Sequence, residues 1–390
     1  MAVPDPGETP DAPVPESLVA DLRTMGERAG LAALGIAGPE QFLETREDLV
    51  ARKGAGLHGG MQFTYRNPDR STDPDRILPG ARALVVGAWG YRRVDPDDRV
   101  DPEGRGEPAD RGNLGSRYSE APGDGRLLGR VARYSWRDHY ASLRAALGEL
   151  ADRLRADGWH AQVVCDDNAL VDRAAAHRAG LGWYGKNSLL LLDGLGSWYV
   201  LGTVVTDAPL PPSVDVPQAH GQGCGPCTRC VSACPTGAIV APGVVDARRC
   251  LAWLVQAPGS FPEAWRTALG DRIYGCDECQ EVCPINRLAD RRSPPGPADD
   301  DAEPAVDLLA LLAAPDDELL ERHGRWYIAE RDPRYLRRNA LIALGNTGDG
   351  RDPAVDAALR RAMADPDGLI REHACWAARR LGRSDLTGAA

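Results

Sequence analysis

The chain has 390 residues, room for two or three domains and a substantial core. Its formal net charge of −11 excludes a global electrostatic case for nucleic acid and leaves only a local basic face. No run of about 18 apolar residues occurs, which excludes a spanning helix, and ten cysteines with no secretory signal predict metal or redox chemistry in a cytoplasmic protein rather than disulfides.

Residues 1–16 are acidic and proline-rich and read as a disordered leader. Apolar positions over 17–36 fall at helical spacing, and the run 83–91 ("ALVVGAWGY") reads as a buried strand. Residues 92–125 hold much Gly, Pro, Asp and Arg and predict a long loop. An amphipathic helix follows over 138–158, stopped by Gly158, and strands are expected over 160–166 and 197–207. Residues 17–212 thus form one mixed α/β unit.

Within that unit, "AGLGWYGKNS" (179–188) matches G-x-G-x-x-G and nearly matches a phosphate loop. The preceding residues 168–180 carry a helical pattern, and Gly180 sits where a helix C-terminal glycine belongs. Both nucleotide motifs need a strand first, so the order is wrong. Three glycines here suit a close-packed turn, or backbone lying against a large flat ligand. Lys186, one of only two lysines, is read either as neutralising a nearby carboxylate or carbonyl or as a ligand contact.

Residues 213–290 carry the sharpest signal. Cys224, Cys227, Cys230 and Cys234 follow C-x2-C-x2-C-x3-C-P, the spacing of bacterial 4Fe-4S ferredoxins, in which the fourth cysteine serves the other cluster. The partner run holds Cys276, Cys279 and Cys283 before Pro284 and lacks one cysteine, which Cys250 supplies. One cluster then takes Cys224, Cys227, Cys230 and Cys283. The other takes Cys234, Cys250, Cys276 and Cys279, leaving Cys165 and Cys375 over. Zinc also accepts four thiolates but does not usually show interleaved runs of this kind. A pair of clusters is a one-electron wire, and a wire needs a redox centre at its end. Residues 291–307 read as an acidic, proline-rich linker. In 308–390 the stretches 337–349 and 371–385 align at a period of about 34 residues, with Gly345 and Gly382 near the helix ends, as in a short helical-repeat array.

"VVCDDNALVDRAAAHRAGLGWYGKNSLLLL", "GSWYVLG", the double cluster motif, "CLAWLVQAPG" and "RRNALIALGN…IREHACWAA" together resemble the epoxyqueuosine reductases, in the same order, over roughly residues 20 to 385. The resemblance implies a nitroreductase-like α/β domain for cobalamin, a ferredoxin-like two-cluster domain and a C-terminal HEAT-like repeat that helps hold tRNA. No D-x-H-x-x-G cobalt-ligand loop is present, which agrees with the base-off binding of that family. The implied reaction reduces the epoxide of epoxyqueuosine at the tRNA wobble position, the last step of queuosine synthesis, with a ferredoxin- or flavodoxin-type electron donor, in a monomer.

Carried over residue by residue, the resemblance makes Asp166, six residues before Asp172-Arg173, the general acid for oxygen departure and a cofactor contact. Asp167 or Asn168 can cap the following helix in its place. Arg70, Ala132, Tyr134, Leu190, Leu201 and Ala257 are the other implied cobalamin contacts. The stretch 132–140 and the spacing after Arg70 depart from the family pattern. From Arg331 onward eleven arginines face eight acids, and Arg334, Arg337, Arg338, Arg371, Arg379 and Arg380 are candidates for a phosphate-contacting face. Trp326 and Tyr327 either stack on a base or pack. Two other readings remain at this point: a corrinoid and iron–sulfur reductase of the dehalogenase kind, and a non-catalytic ferredoxin-like carrier.

Overall fold

The computed structural model describes residues 16–92, 126–214, 222–292 and 301–387. The expected leader, but for residue 16, and nearly all of the 92–125 loop lie outside them.

The first part of the chain runs α1 (Glu16–Arg28), β1 (Ala33–Ala37), α2 (Leu43–Gly54), α3 (Pro68–Ser71), β2 (Ala83–Gly90), β3 (Leu128–Val131), α4 (His139–Ala156), β4 (Ala161–Cys165), α5 (Asp172–Arg178), β5 (Gly182–Tyr184), β6 (Leu190–Leu192) and β7 (Tyr199–Thr206). Four strands form an antiparallel sheet in the order β1-β2-β7-β4. Side chains alternate between its faces, as the two-residue period of a strand requires. Val85, Val200 and Val204 join a core under α1 and α4, while Leu84, Val86, Leu201 and Val205 join another with α5 and β6. Every residue of β7 is buried, because it is central and covered on both faces. The expected helix over 17–36 ends early: Gly30, at φ +91, closes α1, and Ala33–Ala37 is a strand paired with β2. The apolar spacing ran past that glycine without continuing the helix.

The cysteine-rich part holds α6 (Arg229–Ala233), β8 (Ile239–Ala241), β9 (Val244–Val245), α7 (Leu251–Leu254), α8 (Glu263–Leu269), β10 (Arg272–Tyr274), α9 (Glu278–Glu281) and α10 (Pro284–Arg292). Next come β11 (Ala305–Asp307), α11 (Leu308–Ala313), α12 (Asp316–His323), α13 (Arg334–Thr347), α14 (Pro353–Met363) and α15 (Gly368–Arg380). Ala305–Asp307 falls within the expected linker and is a strand. β3 lies between β10, parallel, and β11, antiparallel. This small sheet is stitched from three distant segments, so Val131 and Trp136 share a core with Phe261, Ile273 and the C-terminal helices.

α13 is the buried axis of the last part. A Cβ on Gly345 would stand 2.8 Å from the Ala377 backbone. That glycine lies near the end of α13, as expected, and serves the close approach of α15. Gly382, at φ +74, does follow the end of α15.

Candidate functional site

Short helices and turns present the eight motif cysteines. Cys230 lies in α6 and Cys279 in α9, Cys234 and Cys250 cap α6 and α7, Cys276 follows β10, and Cys283 precedes α10. All eight are partly exposed, whereas Cys165 is buried. The thiol of Cys230 is pushed up by burial and by the neighbouring Cys224, Cys283 and Cys227, and that of Cys283 by burial, Cys224 and Cys227. Cys250 is raised by burial and by Cys234; Cys276, to about 11, by burial and by Cys250; Cys279 by burial, Cys276 and Cys250. The fold thus brings together Cys224, Cys227, Cys230 and Cys283, and beside them Cys234, Cys250, Cys276 and Cys279. Cys230 also acts on Cys279, so the two quartets adjoin. Among the described residues no three His, Cys, Asp or Glu side chains converge on one ion position. Eight soft donors in two adjoining sets of four suit a pair of iron–sulfur clusters.

The glycine stretch is the turn of the β5–β6 hairpin. Gly180, at φ +75, follows α5, with backbone bonds from Gly180 to His177 and from Leu181 to Ala176. This is a helix exit, not a phosphate loop. Lys186 Nζ donates to the carbonyls of Gly225 (2.8 Å) and Cys227 (2.9 Å), so of its two readings the carbonyl partner is the one found. Asn187 Nδ2 donates to the Cys279 carbonyl at 3.3 Å.

Asp166 directly follows β4 in a left-handed conformation, φ 52, unusual for a side-chain-bearing residue. It does not cap α5. Asp167 accepts from the Ala169 amide, 2.8 Å, and Asn168 Oδ1 from Arg70 Nη1, 3.5 Å. The Asp166 side chain is exposed, yet protein packs around its carboxyl. That surrounding raises its pKa, partly offset by Arg144, with Asp138 and Asp167 adding to the rise. Desolvation lifts Asp172 well above its ordinary value, with the Asp166 charge adding to it, and among the described residues its buried Oδ1 has no hydrogen-bond partner. Tyr134, Tyr140 and Tyr274 are raised chiefly by burial, each with the Asp166 charge as a further cause, which sets all three around that carboxyl.

Ala132 and Tyr134 belong to the same wall. The Ala132 amide donates to the Tyr274 carbonyl at 2.8 Å, and a Cβ on Gly275 would lie 2.4 Å from Ala132 and 3.0 Å from Tyr134. Tyr134 Oη accepts from Gln256 Nε2 at 3.2 Å, which ties in the turn carrying Ala257. The Ala257 carbonyl itself accepts from Arg338, 2.7 Å. Leu201 is buried in the sheet, its carbonyl near the Sγ of Cys165, the residue before Asp166 (3.8 Å). Leu190, in the hairpin, shares a core with Leu201; its side chain is buried and its carbonyl is taken by Tyr199 Oη. Sequence reasoning missed Arg144, Gln256 and Tyr274 around Asp166; Tyr140 was carried only within the stretch 132–140, and Asp172 only as the anchor from which Asp166 was counted.

The arginine face divides. Arg338 is fully buried and cannot meet phosphate. It donates to the carbonyls of Leu254, Val255, Ala257 and Gly259 and to Asn339. Arg334 and Arg337 line an open groove with Asp316, Asp332, Asp365 and Asp367; Asp332 and Asp367 pair with Arg334, and Asp316 with Arg337. Arg371 bonds the carbonyls of Asp365 and Pro366, while Arg379 and Arg380 are exposed. Trp326 packs, stacked between Tyr274 at 4.7 Å and His323 at 4.5 Å. Tyr327 is 57% exposed, and its amide donates to Tyr274 Oη at 2.8 Å.

Comparison with known proteins bears on this site. Residues 223–286 match the domain family described as 4Fe-4S double cluster binding domain. A relative from Xanthomonas campestris pv. campestris named epoxyqueuosine reductase is 35% identical, over 94% of this chain and 96% of its own. Of solved structures, an epoxyqueuosine reductase with an epoxyqueuosine-modified tRNA-Tyr stem loop superposes with a TM-score of 0.78 at 30% identity, covering 94% of this chain and 90% of that one. One from Streptococcus thermophilus gives 0.79 at 26%, covering 95% and 94%.

Proposed function

This chain belongs to the epoxyqueuosine reductase family, and from that premise we propose how it reduces epoxyqueuosine in tRNA. It is an oxidoreductase. Converting the wobble-position epoxide to the cyclopentene of queuosine breaks both carbon–oxygen bonds, takes up two electrons and two protons, and releases water. The observation that carries the assignment of roles is Asp166 with a raised pKa among Tyr134, Tyr140 and Tyr274, in a chain that also gathers two adjoining quartets of thiols.

The quartets Cys224/Cys227/Cys230/Cys283 and Cys234/Cys250/Cys276/Cys279 hold two 4Fe-4S clusters, which pass electrons singly. Cobalamin, when bound, supplies a strongly reducing centre next to the substrate. The fit of the Asp166 site to a large polar cofactor is supported by the buried Oδ1 of Asp172, unpartnered among the described residues, by the exposed Asp166 with protein packed around its carboxyl, and by Gly275, whose missing Cβ lets Ala132 and Tyr134 close in. Arg70, Ala132, Tyr134 and Ala257 line that space. Leu201 and Leu190 support it from the core they share.

Asp166 gives a proton to the departing oxygen, which as an alkoxide leaves poorly. Its raised pKa keeps a larger protonated fraction than an ordinary aspartate, through desolvation and the charges of Asp138 and Asp167. Tyr327 is the exposed ring available to stack on a base of the anticodon loop. A ferredoxin- or flavodoxin-type protein supplies the electrons to a monomeric enzyme of the cytoplasm. The finer fold reading goes with this: a nitroreductase-like cobalamin unit over 17–212, a ferredoxin-like unit over 213–290 and a HEAT-like array over 308–390. It is supported by the helix-covered antiparallel sheet, the cysteine runs and the packing of α13 on α15.

Nucleoside mass spectrometry of tRNA from a strain lacking the gene tests the reading. Epoxyqueuosine accumulates in the deletion strain. The wild-type gene clears it and the Asp166→Asn gene does not. Clearance by Asp166→Asn would remove the acid role, and absence of epoxyqueuosine in the deletion strain would remove the substrate.

A further inference from the structure

The chain has two lysines among 46 basic residues, and one of them touches the cluster-binding segment. Lys186 stands at the tip of the β5–β6 hairpin. Its ammonium meets the carbonyls of Gly225 and Cys227, which bracket the turn presenting Cys224 and Cys227. That turn is itself closed by the Cys227 amide on the Cys224 carbonyl, at 3.0 Å. A lysine delivers a compact charge with three donors, which suits two converging carbonyls better than the planar fork of arginine. The next residue, Asn187, is buried and bonds Cys279 of the other quartet. Ser188 is held at φ 66, its hydroxyl on the Gly243 carbonyl at 3.0 Å, while the Gly243 amide returns to the Lys186 carbonyl at 3.0 Å. The tip is therefore fixed from both sides and is not a loose surface turn.

We propose that this hairpin tip is a bracket for the electron-carrying centres: Lys186 positions the Cys224–Cys227 turn and sets the reduction potential of the cluster held there, while Asn187 fixes the segment of the second. The inference rests on the reading of the two quartets as 4Fe-4S sites. Reduction adds one negative charge to a cluster, and a nearby cation favours the reduced form. Removing the charge therefore makes that cluster harder to reduce. The hairpin also follows directly on α5, which begins at Asp172, so one continuous stretch runs from Asp172 to the bracket.

The test is a potentiometric titration of the anaerobically reconstituted full chain, followed by electron paramagnetic resonance, with iron content measured alongside. Lys186→Met lowers one of the two midpoints, by on the order of tenfold in the reduction equilibrium (~59 mV for one electron), and leaves the other in place. Lys186→Arg, which keeps the charge, stays closer to wild type. Lys186→Gln, neutral but still a donor, is the second arm should the methionine variant fail to fold, and it shows the same lowering. Unmoved midpoints in a neutral variant with full iron overturn the proposal, as does an equal shift of both clusters. Wild-type protein that binds no iron would instead overturn the cluster reading itself.

Discussion

Asp166→Asn keeps the size and most contacts of the side chain and removes its proton. We expect turnover of epoxyqueuosine tRNA to fall at least about 100-fold, with stem-loop affinity nearly unchanged. The pH profile follows from the sign of the shift. An acid must start protonated, so activity is lost as pH rises through the raised pKa of Asp166. A rate that climbs with pH over that range would identify a base instead. Tyr327→Ala should weaken stem-loop binding by about 1–3 kcal/mol, the worth of one base stack, while a packing role would lower melting temperature and spare affinity. Asp166 entered through the family resemblance, counted back from Asp172-Arg173, and its place after a short apolar run agrees with β4 ending just before it. Its neighbours Arg144, Gln256 and Tyr274 were not legible, because they arrive from separate elements and nothing local marks them as sharing a site.

Helix α13 shows where reading by element stops. Its pattern announced a helix but not which arginine turns inward, since Arg337 and Arg338 are adjacent and chemically alike. The structure pairs Arg337 with Asp316 and buries Arg338 among four carbonyls, with burial lowering the latter to about 10, so it stays charged at neutral pH. Arg338→Met would leave those carbonyls unsatisfied at about 1–3 kcal/mol each. We expect at least about 3 kcal/mol of lost stability in denaturant unfolding, whereas Arg379→Met on the exposed face should cost under about 0.5 kcal/mol. Two histidines of these helices give a pH signature. Burial holds His323 and His373 neutral, each lowered to about 4, and His373 spends both nitrogens, on the Leu369 carbonyl and the Phe261 amide. The unfolded chain takes up protons below pH 6.5 while the folded one does not. Stability should therefore fall as pH drops from 6.5 toward 4, by up to about 3 kcal/mol per histidine. His373→Gln should flatten that limb of a melting-temperature profile; an unchanged slope would contradict the assignment.

At the scale of the whole molecule, the segments that build the site are far apart in the chain. β3 crosses to pair with Arg272–Tyr274 and Ala305–Asp307, and Cys283 acts with Cys224, Cys227 and Cys230 across more than fifty residues. The cysteine runs were legible because metal-ligand spacing is local. The stitching of β3 was not, because a four-residue strand with a half-buried pattern carries little information about its partners. The hairpin tip that follows α5 touches both cysteine segments, and the proposed electron delivery to the Asp166 site stands on the quartets being clusters. Iron and acid-labile sulfide in the anaerobically reconstituted chain test that most directly. The account predicts about eight irons per chain, falling to about four when one quartet loses a cysteine such as Cys250→Ala. A full-length protein that turns over epoxyqueuosine tRNA with far fewer irons, or with zinc in their place, would contradict it.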